Sequence, residues 1–359
     1  MIKLFDPHFD KEEKEALLEV LESGTWASGA GTGKVNEFEN KFNKYIGSDE
    51  CTAVNSGTAA LHLALLQLEI KDKEVLVPSM TFVSTVHAIQ YAGGKPIFVD
   101  IDQKTLCMDL VDLGKKISNK TALIIPVHFG GIPCDLDKII DIAKERKIPI
   151  VEDAAHACGS IYHGKKLGTH SEMVCFSFHP VKNLSMLTGG AITFNGEMSQ
   201  SRKKMINSQR WCGIDDRNGV FYDVSRIGWN YYLNEFSAAI GIQQLEKLDT
   251  MNKRRRAIAR MYHDEILLEH KMPLYDDCCY HLYWIRVKER ARFIKFMNES
   301  DIEVGVHYKP VHLMQMYNSS ISLPATESVW PELVSIPMHT NLTDDDVRYI
   351  IEKINAFSE

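Results

Sequence analysis

A lysine and an aspartate that each follow a strand-like apolar run are the residues whose chemistry stands out. Lys182 comes shortly after the run at residues 174–178, and Asp153 follows the run at residues 148–152. A lysine enclosed in a pocket can lose its proton and attack an aldehyde, which gives a Schiff base. A carboxylate at the same sheet edge can hold a pyridinium nitrogen in its protonated form, so that the ring withdraws electrons.

Three further features extend this pair into a site for a phosphate and a ring. Ser56-Gly57-Thr58 stands where a strand gives way to a helix, so helix amides and the Thr58 hydroxyl can hold a phosphate dianion. Ser177 can add a hydroxyl, and Phe82 can lie flat against an aromatic ring. Each residue alone is more typical of a helix cap or a core position. Their occurrence together, in this order, favours a pyridoxal phosphate site.

The elements that must position these residues follow an alternating pattern. Continuously apolar strands separated by helices imply a mainly parallel sheet covered on both faces, which is a three-layer α/β sandwich. In such sheets chemistry gathers at the carboxyl ends of the strands, where the candidate residues lie. We expect strands at residues 50–55, 74–78, 96–101, 122–127, 149–151, 174–178 and 191–194.

The pattern changes beyond about residue 235. A long helix is expected at residues 235–264, and mixed strands and helices follow it. We therefore predict a large cofactor-binding domain at residues 1–245 and a smaller C-terminal α+β domain at residues 246–359. The basic run at residues 253–256 is interpreted as a solvated helix face. Thr343, followed by acidic residues, is predicted to cap the last helix.

Composition and charge exclude several other classes of function. The 359 residues carry a net charge of −7, which gives no support for binding to nucleic acids or to anionic membranes. No apolar run is long enough to span a bilayer, and the charged first residues do not resemble a signal peptide. The eight cysteines are scattered without a Cys-x-x-Cys pair. We expect reduced, mostly buried thiols and a cytoplasmic location.

Several other motifs in the chain are incomplete. Residues 28–34 resemble a phosphate loop, but Ser28 replaces its first glycine and Val35 replaces its Ser/Thr. The histidines form no His-Glu-x-x-His pair, and the group of His156, Cys158 and His163 has no clear fourth ligand. We therefore predict no metal site. The Gly-x-Ser-x-Gly motif of serine hydrolases is absent.

The chain resembles the DegT-type nucleotide-sugar aminotransferases over almost its whole length. This resemblance implies the fold of aspartate aminotransferase, the fold type I of pyridoxal phosphate-dependent transferases. The matching stretches, all in the family's order, are residues 55–65, 78–82, 151–157, 177–183, 228–231 with 234–241, 306–312 and 335–338.

The resemblance also implies roles for individual residues. Lys182 is the catalytic residue, which forms the Schiff base and then moves protons. Asp153 pairs with the pyridine nitrogen, and His156 lies near the ring hydroxyl. The remaining cofactor-binding residues are Gly57, Thr58 and Ser177 at the phosphate, Phe82 on the ring, and Asn230, which reaches the phosphate from the partner subunit of a homodimer. His307 and Tyr308 are expected near the sugar.

The expected reaction is transfer of an amino group, with L-glutamate as donor, to the keto carbon of a nucleotide-linked keto-deoxysugar. Pyridoxal phosphate carries the amino group as pyridoxamine phosphate. Relatives that use the cofactor to remove a sugar hydroxyl have His at the position of Lys182, so Lys182 argues against that branch. Three positions depart from the pattern of many relatives and concern the choice of donor and acceptor: Leu187, Thr188 and Tyr232.

Two alternatives remain open at this stage. One is a regulatory protein that binds pyridoxal phosphate without turnover, although the set of Lys182, Asp153 and Ser177 argues against it. The other is an aminotransferase that acts on a keto substrate without a nucleotide. The aminated carbon, the base of the nucleotide and the pathway are not determined by the sequence.

Overall fold

A computed structural model describes residues 1–317 and 320–358. The helices are α1 Lys11–Ser23, α2 Lys34–Ile46, α3 Gly57–Leu65, α4 Val83–Tyr91, α5 Leu110–Lys116, α6 Leu136–Glu145, α7 Ser199–Gln209, α8 Glu235–Glu265, α9 Arg290–Glu299, α10 Pro324–Val329 and α11 Asp344–Ala356. The strands are β1 Glu50–Val54, β2 Glu74–Pro78, β3 Lys95–Val99, β4 Thr121–Ile124, β5 Val151–Asp153, β6 Ile161–Tyr162, β7 Lys165–Lys166, β8 Met173–Ser177, β9 Gly190–Phe194, β10 Ile214–Asn218, β11 Phe221–Val224, β12 Tyr283–Arg286 and β13 Leu333–Ile336.

The central sheet has the strand order β3-β2-β4-β5-β8-β9-β1. β2 pairs in parallel with β3 and β4, and β5 pairs in parallel with β8. Parallel bridges from Ile124 to Ile150 and from Val127 to Asp153 join β4 to β5. β9 runs antiparallel to both β8 and β1. The predicted, mainly parallel sheet is therefore confirmed, with an antiparallel strand near one edge.

Both faces of the sheet are covered, which gives three layers. Consecutive residues of β8 show this directly, because Phe176 belongs to one hydrophobic cluster and Cys175, which points to the other face, belongs to another. Phe42 of α2 packs edge-on against Phe176, with ring centroids 5.3 Å apart. Leu61 and Leu63 of α3 belong to the cluster on the opposite face. The strands are therefore continuously apolar because both faces of the sheet are buried, as predicted from the sequence.

Local caps set where the helices begin. The Ser56 hydroxyl accepts a hydrogen bond from the Ala59 N–H at 3.1 Å, so Ser56 caps α3, which begins at Gly57. Thr343 caps α11 in a reciprocal capping box with Asp346, as predicted. The glycines of the rejected phosphate loop precede α2, and Gly33 is its N-cap residue.

The C-terminal part contains the antiparallel pair β12 and β13 together with α9 and α11. The domain boundary predicted between residues 245 and 246 falls inside the continuous helix α8 and stays a prediction. The solvated face predicted for residues 253–256 is wrong for Arg255, which is buried and donates to the Met338 carbonyl at 2.6 Å. Consecutive residues of a helix point to different sides, so a run of four cannot share one face.

Two expectations about the whole chain can be compared with the described residues. Across these ranges, no helix combines the length and the apolarity that a bilayer crossing needs. The cysteines are free thiols, buried except for Cys212.

Candidate active site

A cavity of about 380 Å³ lies at the carboxyl ends of β1, β2, β5 and β8. Its wall comes from the segments that follow these strands and from a loop of the C-terminal part. Of the ten predicted site residues, Asn230 does not line this cavity within the single described chain. Those that do are Gly57, Thr58, Phe82, Asp153, His156, Ser177, Lys182, His307 and Tyr308.

The N-terminus of α3 forms one end of the cavity. Gly57 and Thr58 open this helix, and Ser177 ends β8 beside them. A Cβ atom added at Gly57 would lie 2.8 Å from the Ser177 Cβ, so only glycine permits this close approach. Unpaired amides at a helix N-terminus favour an anion, and two hydroxyls lie in the same wall. The donor set fits a phosphate group.

Asp153 provides a buried carboxylate at the end of β5. Its Oδ2 accepts a hydrogen bond from the Thr85 hydroxyl at 2.7 Å, and its Oδ1 accepts from the Ala155 N–H at 3.0 Å. Burial raises the pKa of Asp153, while these two hydrogen bonds and the charge of Lys182 oppose the rise. Both oxygens act as acceptors, as expected for an ionised carboxylate.

The surroundings of Lys182 favour the form of its amine that can act as a nucleophile. Burial lowers its pKa from 10.5 to about 7, although the negative charge of Asp153 acts in the opposite direction. Its Nζ lies 3.3 Å from the Nε2 of His281. A large fraction of the amine is therefore uncharged at neutral pH, which is the form that attacks a carbonyl.

Phe82 presents an aromatic face to the cavity. It immediately precedes α4, and its side chain is 54% exposed although it adjoins buried residues. Its ring lies 5.6 Å from that of Tyr308, centroid to centroid, in a tilted arrangement. An exposed ring at the wall of a cavity can stack on a planar ligand.

The hydrogen-bond pattern of His156 fixes its tautomer. The Gly130 N–H donates to Nδ1 at 3.3 Å, and Nε2 lies 3.1 Å from the Tyr308 hydroxyl oxygen. Burial lowers the pKa of His156 well below its usual value, so the ring is neutral. Nδ1 acts as an acceptor, and Nε2 therefore carries the proton and donates to Tyr308.

His307 is a second neutral imidazole in the wall. Burial and the charge of Lys182 lower its pKa to about 4. Its Nδ1 lies 3.0 Å from the Ser335 hydroxyl. The part of the wall formed by His156 and His307 therefore offers neutral polar groups, which suit hydroxyl-bearing ligands.

Among the residues of this site that the sequence did not indicate are His281, Phe5 and Thr85. His281 is buried in contact with Lys182, and Phe5 stacks on its ring with centroids 5.7 Å apart. No spacing in the sequence points to either residue. Thr85 follows Phe82 by three residues, so the helical repeat of α4 could have indicated that both face the same region.

The positions that depart from relatives lie near the cavity. Thr188 lines it, and its hydroxyl donates to the Asn55 carbonyl just after β1. Leu187 is exposed, and Tyr232 is half-buried and bridges to Val54. Thr188 therefore connects its loop to the strand end beside the phosphate side of the cavity.

The residues present fit pyridoxal phosphate. The helix N-terminus with its hydroxyls suits the phosphate, Phe82 suits the ring, and Asp153 suits a protonated ring nitrogen. Lys182 supplies the amine that the aldehyde requires.

Comparison with known proteins identifies a family and a relative that match almost the whole chain. Residues 7–355 match the DegT/DnrJ/EryC1/StrS aminotransferase family. GDP-perosamine synthase of Escherichia coli O157:H7 is 36% identical over 364 residues, which cover 99% of this chain and 98% of that protein.

Solved structures agree with the sequence comparison. The PMP form of Spr1654 from Streptococcus pneumoniae, assigned as a sugar aminotransferase, has a TM-score of 0.94 at 28% identity and covers 99% of this chain and 98% of that one. Helicobacter pylori PseC, an aminotransferase of pseudoaminic acid biosynthesis, has a TM-score of 0.90 at 26% identity and covers 98% and 97%. The chain belongs to the DegT/DnrJ/EryC1/StrS aminotransferase family and is a pyridoxal phosphate-dependent sugar aminotransferase.

Proposed function

We propose that this protein transfers an amino group from L-glutamate to the keto carbon of a nucleotide-linked keto-deoxysugar. The observation that carries the proposal is the Lys182 amine, with a pKa of about 7, in one cavity with Asp153 and Phe82. Similarity to GDP-perosamine synthase along almost the entire chain supports a nucleotide-linked acceptor.

Each cofactor contact is proposed from the position of its residue in the wall. Gly57, Thr58 and Ser177 hold the phosphate, and Phe82 stacks on the ring. Asp153 holds the ring nitrogen, and the His156–Tyr308 pair lies beside the ring. Pyridoxal phosphate, when bound, accepts the amino group from the donor and stabilises the negative charge that forms at each proton shift.

Lys182 performs the acid–base steps. With pyridoxal phosphate bound, its uncharged amine would hold the aldehyde as a Schiff base, and it would become a free base once the donor amine takes its place. The freed amine would remove the proton from the α-carbon of glutamate and deliver a proton to the cofactor carbon, after which water would release 2-oxoglutarate. The same group works in the reverse direction on the sugar. A pKa of about 7 suits both tasks, because the amine can gain or lose a proton near neutral pH.

The active site is proposed to be shared between two subunits. Lys182 is the only lysine or arginine lining the cavity within the described residues, although both substrates carry negative charge. Apolar side chains of the β10–β11 region are exposed, among them Phe221 at 78% and Ile227 at 81%. Apolar patches of this kind typically become buried at an interface. Asn230 lies three residues after Ile227, so an interface formed by this region can bring it from a partner subunit to the phosphate. The cytoplasmic location stays a prediction.

The first experiment measures the glutamate half-reaction. Purified protein with pyridoxal phosphate receives L-glutamate, and the absorption spectrum, pyridoxamine phosphate and 2-oxoglutarate are followed. We expect both products from the wild type and from Lys295→Ala, an exposed-lysine control, but not from Lys182→Ala. Binding of pyridoxal phosphate without conversion by any amino donor would overturn the proposal in favour of the regulatory alternative.

The second experiment identifies the acceptor. Protein in the pyridoxamine form is mixed with GDP-linked and dTDP-linked keto-deoxysugars and with the corresponding free keto sugars. We expect amination of a nucleotide-linked sugar. Amination of free sugars at equal or higher kcat/KM would contradict the nucleotide requirement and support the alternative acceptor class.

A further inference from the structure

Two threonines beside the cavity form a hydrogen-bonded chain that ends on Asp153. The Thr85 hydroxyl donates to the Asp153 Oδ2 at 2.7 Å, and the Thr81 hydroxyl oxygen lies 2.9 Å from that of Thr85. The side chains are almost fully buried, with 2% of Thr81 and 1% of Thr85 exposed.

The number of protons determines the direction of this chain. Thr85 has one hydroxyl proton, and a carboxylate that also accepts from the Ala155 N–H can only accept it. Thr81 must then donate its own proton to Thr85. The reverse direction would need a protonated Asp153 and would leave the Thr81 hydroxyl with no acceptor among the described residues. The arrangement therefore favours an ionised Asp153 and fixes the orientation of both hydroxyls.

The hydrogen bonds from Thr81 through Thr85 to Asp153 also connect two walls of the cavity. Phe82 immediately precedes α4 and Thr85 lies in the first turn of α4, whereas Asp153 ends β5. The hydrogen bond from Thr85 therefore connects the helix that carries the aromatic wall to the strand that carries the carboxylate.

We propose that Thr85, oriented by Thr81, is a positioning residue that keeps Asp153 ionised and directed at the ring nitrogen of bound pyridoxal phosphate. This proposal rests on the role proposed above for Asp153. The Thr81 and Thr85 hydroxyls, called the relay below, would thereby influence the protonation of the cofactor ring without contacting a substrate.

The other groups around Asp153 do not replace this relay. Burial, the largest influence, raises the pKa of Asp153, while the charges of Lys182 and His128 lower it. Cys175 and Tyr308 face the carboxylate as neutral groups, since burial raises the pKa of each. Lys182 is half-neutral near pH 7, so its charge stabilises the carboxylate only in part. Loss of the Thr85 donor therefore shifts Asp153 towards its neutral form.

The test measures recognition of the ring nitrogen rather than turnover. Cofactor-free protein is titrated with pyridoxamine phosphate and with an analogue in which C–H replaces the ring nitrogen, and the ratio of the two Kd values is determined. Neither ligand forms a covalent bond with Lys182. We expect the wild type to prefer pyridoxamine phosphate about tenfold or more, the strength typical of a hydrogen bond to a charged group. Thr85→Val should lose most of this preference, and Thr85→Ser should retain it.

A matched control separates the relay from a general loss of stability. The Thr326 hydroxyl donates to the buried carboxylate of Asp100 at 2.7 Å, and neither residue lines the cavity. Thr326→Val removes the same kind of interaction, so it should lower the Tm and leave the Kd ratio unchanged. Thr81→Val keeps the Thr85 hydroxyl but frees its orientation, and we expect an intermediate ratio.

The outcomes distinguish failure of the relay from failure of the proposed function. A wild type without preference would overturn the role of Asp153 and the relay with it. A wild-type preference that Thr85→Val retains would overturn the relay alone, as would a preference lost equally in Thr326→Val. If Thr85→Val does not fold, the same decision comes from Thr81→Val, whose unchanged ratio would overturn the relay. The glutamate half-reaction, measured on the same preparations, tests the proposed function independently.

Discussion

The Lys182 side chain experiences two opposing influences. Enclosure by protein removes water from the amine and favours its neutral form, whereas the Asp153 carboxylate favours the charged form. Enclosure is the larger influence, and the pKa falls to about 7. The residue is therefore reactive at neutral pH without a dedicated base.

The first prediction concerns the pH dependence of covalent cofactor capture. The amine attacks only when it is unprotonated, which is the dominant form above its pKa. The rate constant with which cofactor-free protein captures pyridoxal phosphate should rise as pH increases towards about 7 and level off above about 8. Stopped-flow absorbance measures it, with N-acetyl-lysine amide as the reference amine. A protein rate that still climbs near pH 10, as for the free amine, would contradict the lowered pKa.

The second prediction concerns the charge of His307 in acid. Its pKa is lowered to about 4 in the folded protein, so between pH about 6.5 and about 4 the unfolded chain binds a proton that the folded protein does not. His307 therefore contributes a loss of stability as pH falls through this window. His307→Asn should show a smaller decrease of Tm between pH 7 and about 5 than the wild type. An identical decrease in both proteins would show that His307 titrates normally.

At the scale of elements, the start of α3 connects local sequence to ligand binding. Ser56 caps the helix, and Gly57 allows its first turn to approach Ser177. The exposed amides of this turn belong to the cavity wall because the strand-to-helix junction lies at the edge of the sheet.

The third prediction follows from this close approach. Gly57→Ala places a Cβ 2.8 Å from the Ser177 Cβ, so the helix start and β8 must separate. We expect the Kd for pyridoxal phosphate to rise about tenfold, through weaker phosphate contacts. Gly114→Ala in α5 is the matched control, since a Cβ there meets no atom within 4 Å. It should raise the free energy of unfolding by about 0.5–1 kcal/mol and leave the Kd unchanged. Unchanged cofactor affinity in Gly57→Ala would contradict the phosphate assignment.

At the scale of the whole molecule, one described chain leaves its cavity with a single cationic side chain, Lys182. The exposed apolar residues beside Asn230 suggest where a second copy completes it. If a partner subunit completes the cavity, the activity of a dimer depends on which two subunits form it.

The fourth prediction uses that dependence. Inactive Lys182→Ala and weakened Asn230→Ala proteins are unfolded, mixed and refolded together, and pyridoxamine phosphate formation from glutamate is measured. If Asn230 acts on the partner's site, the mixed dimer contains one wild-type site, and activity per mixed dimer should reach about half that of the wild type. Separately refolded proteins, mixed afterwards, serve as the control. No recovery in the mixed dimers would place Asn230 at the site of its own subunit.

The sequence by itself determined the chemistry and the architecture. Apolar strands alternating with helices predicted the mainly parallel sheet, and the residue types after those strands predicted the cavity at its carboxyl edge. These features depend on local patterns, because strand ends, helix starts and caps are set by residues close in sequence. Lys182, Asp153 and Gly57 could therefore be selected without coordinates.

Only the tertiary structure decided the environment of these groups. His281 contacts Lys182 across 99 positions of sequence, and Thr85 reaches Asp153 across 68. Phe5 enters the cavity from the first residues of the chain, and burial sets the pKa of Lys182. Such contacts depend on how distant elements pack together, and pKa values depend on the water and charge that packing leaves around a group. Neither quantity is encoded in local spacing, so the residues that line the cavity were predictable and their pKa values and distant partners were not.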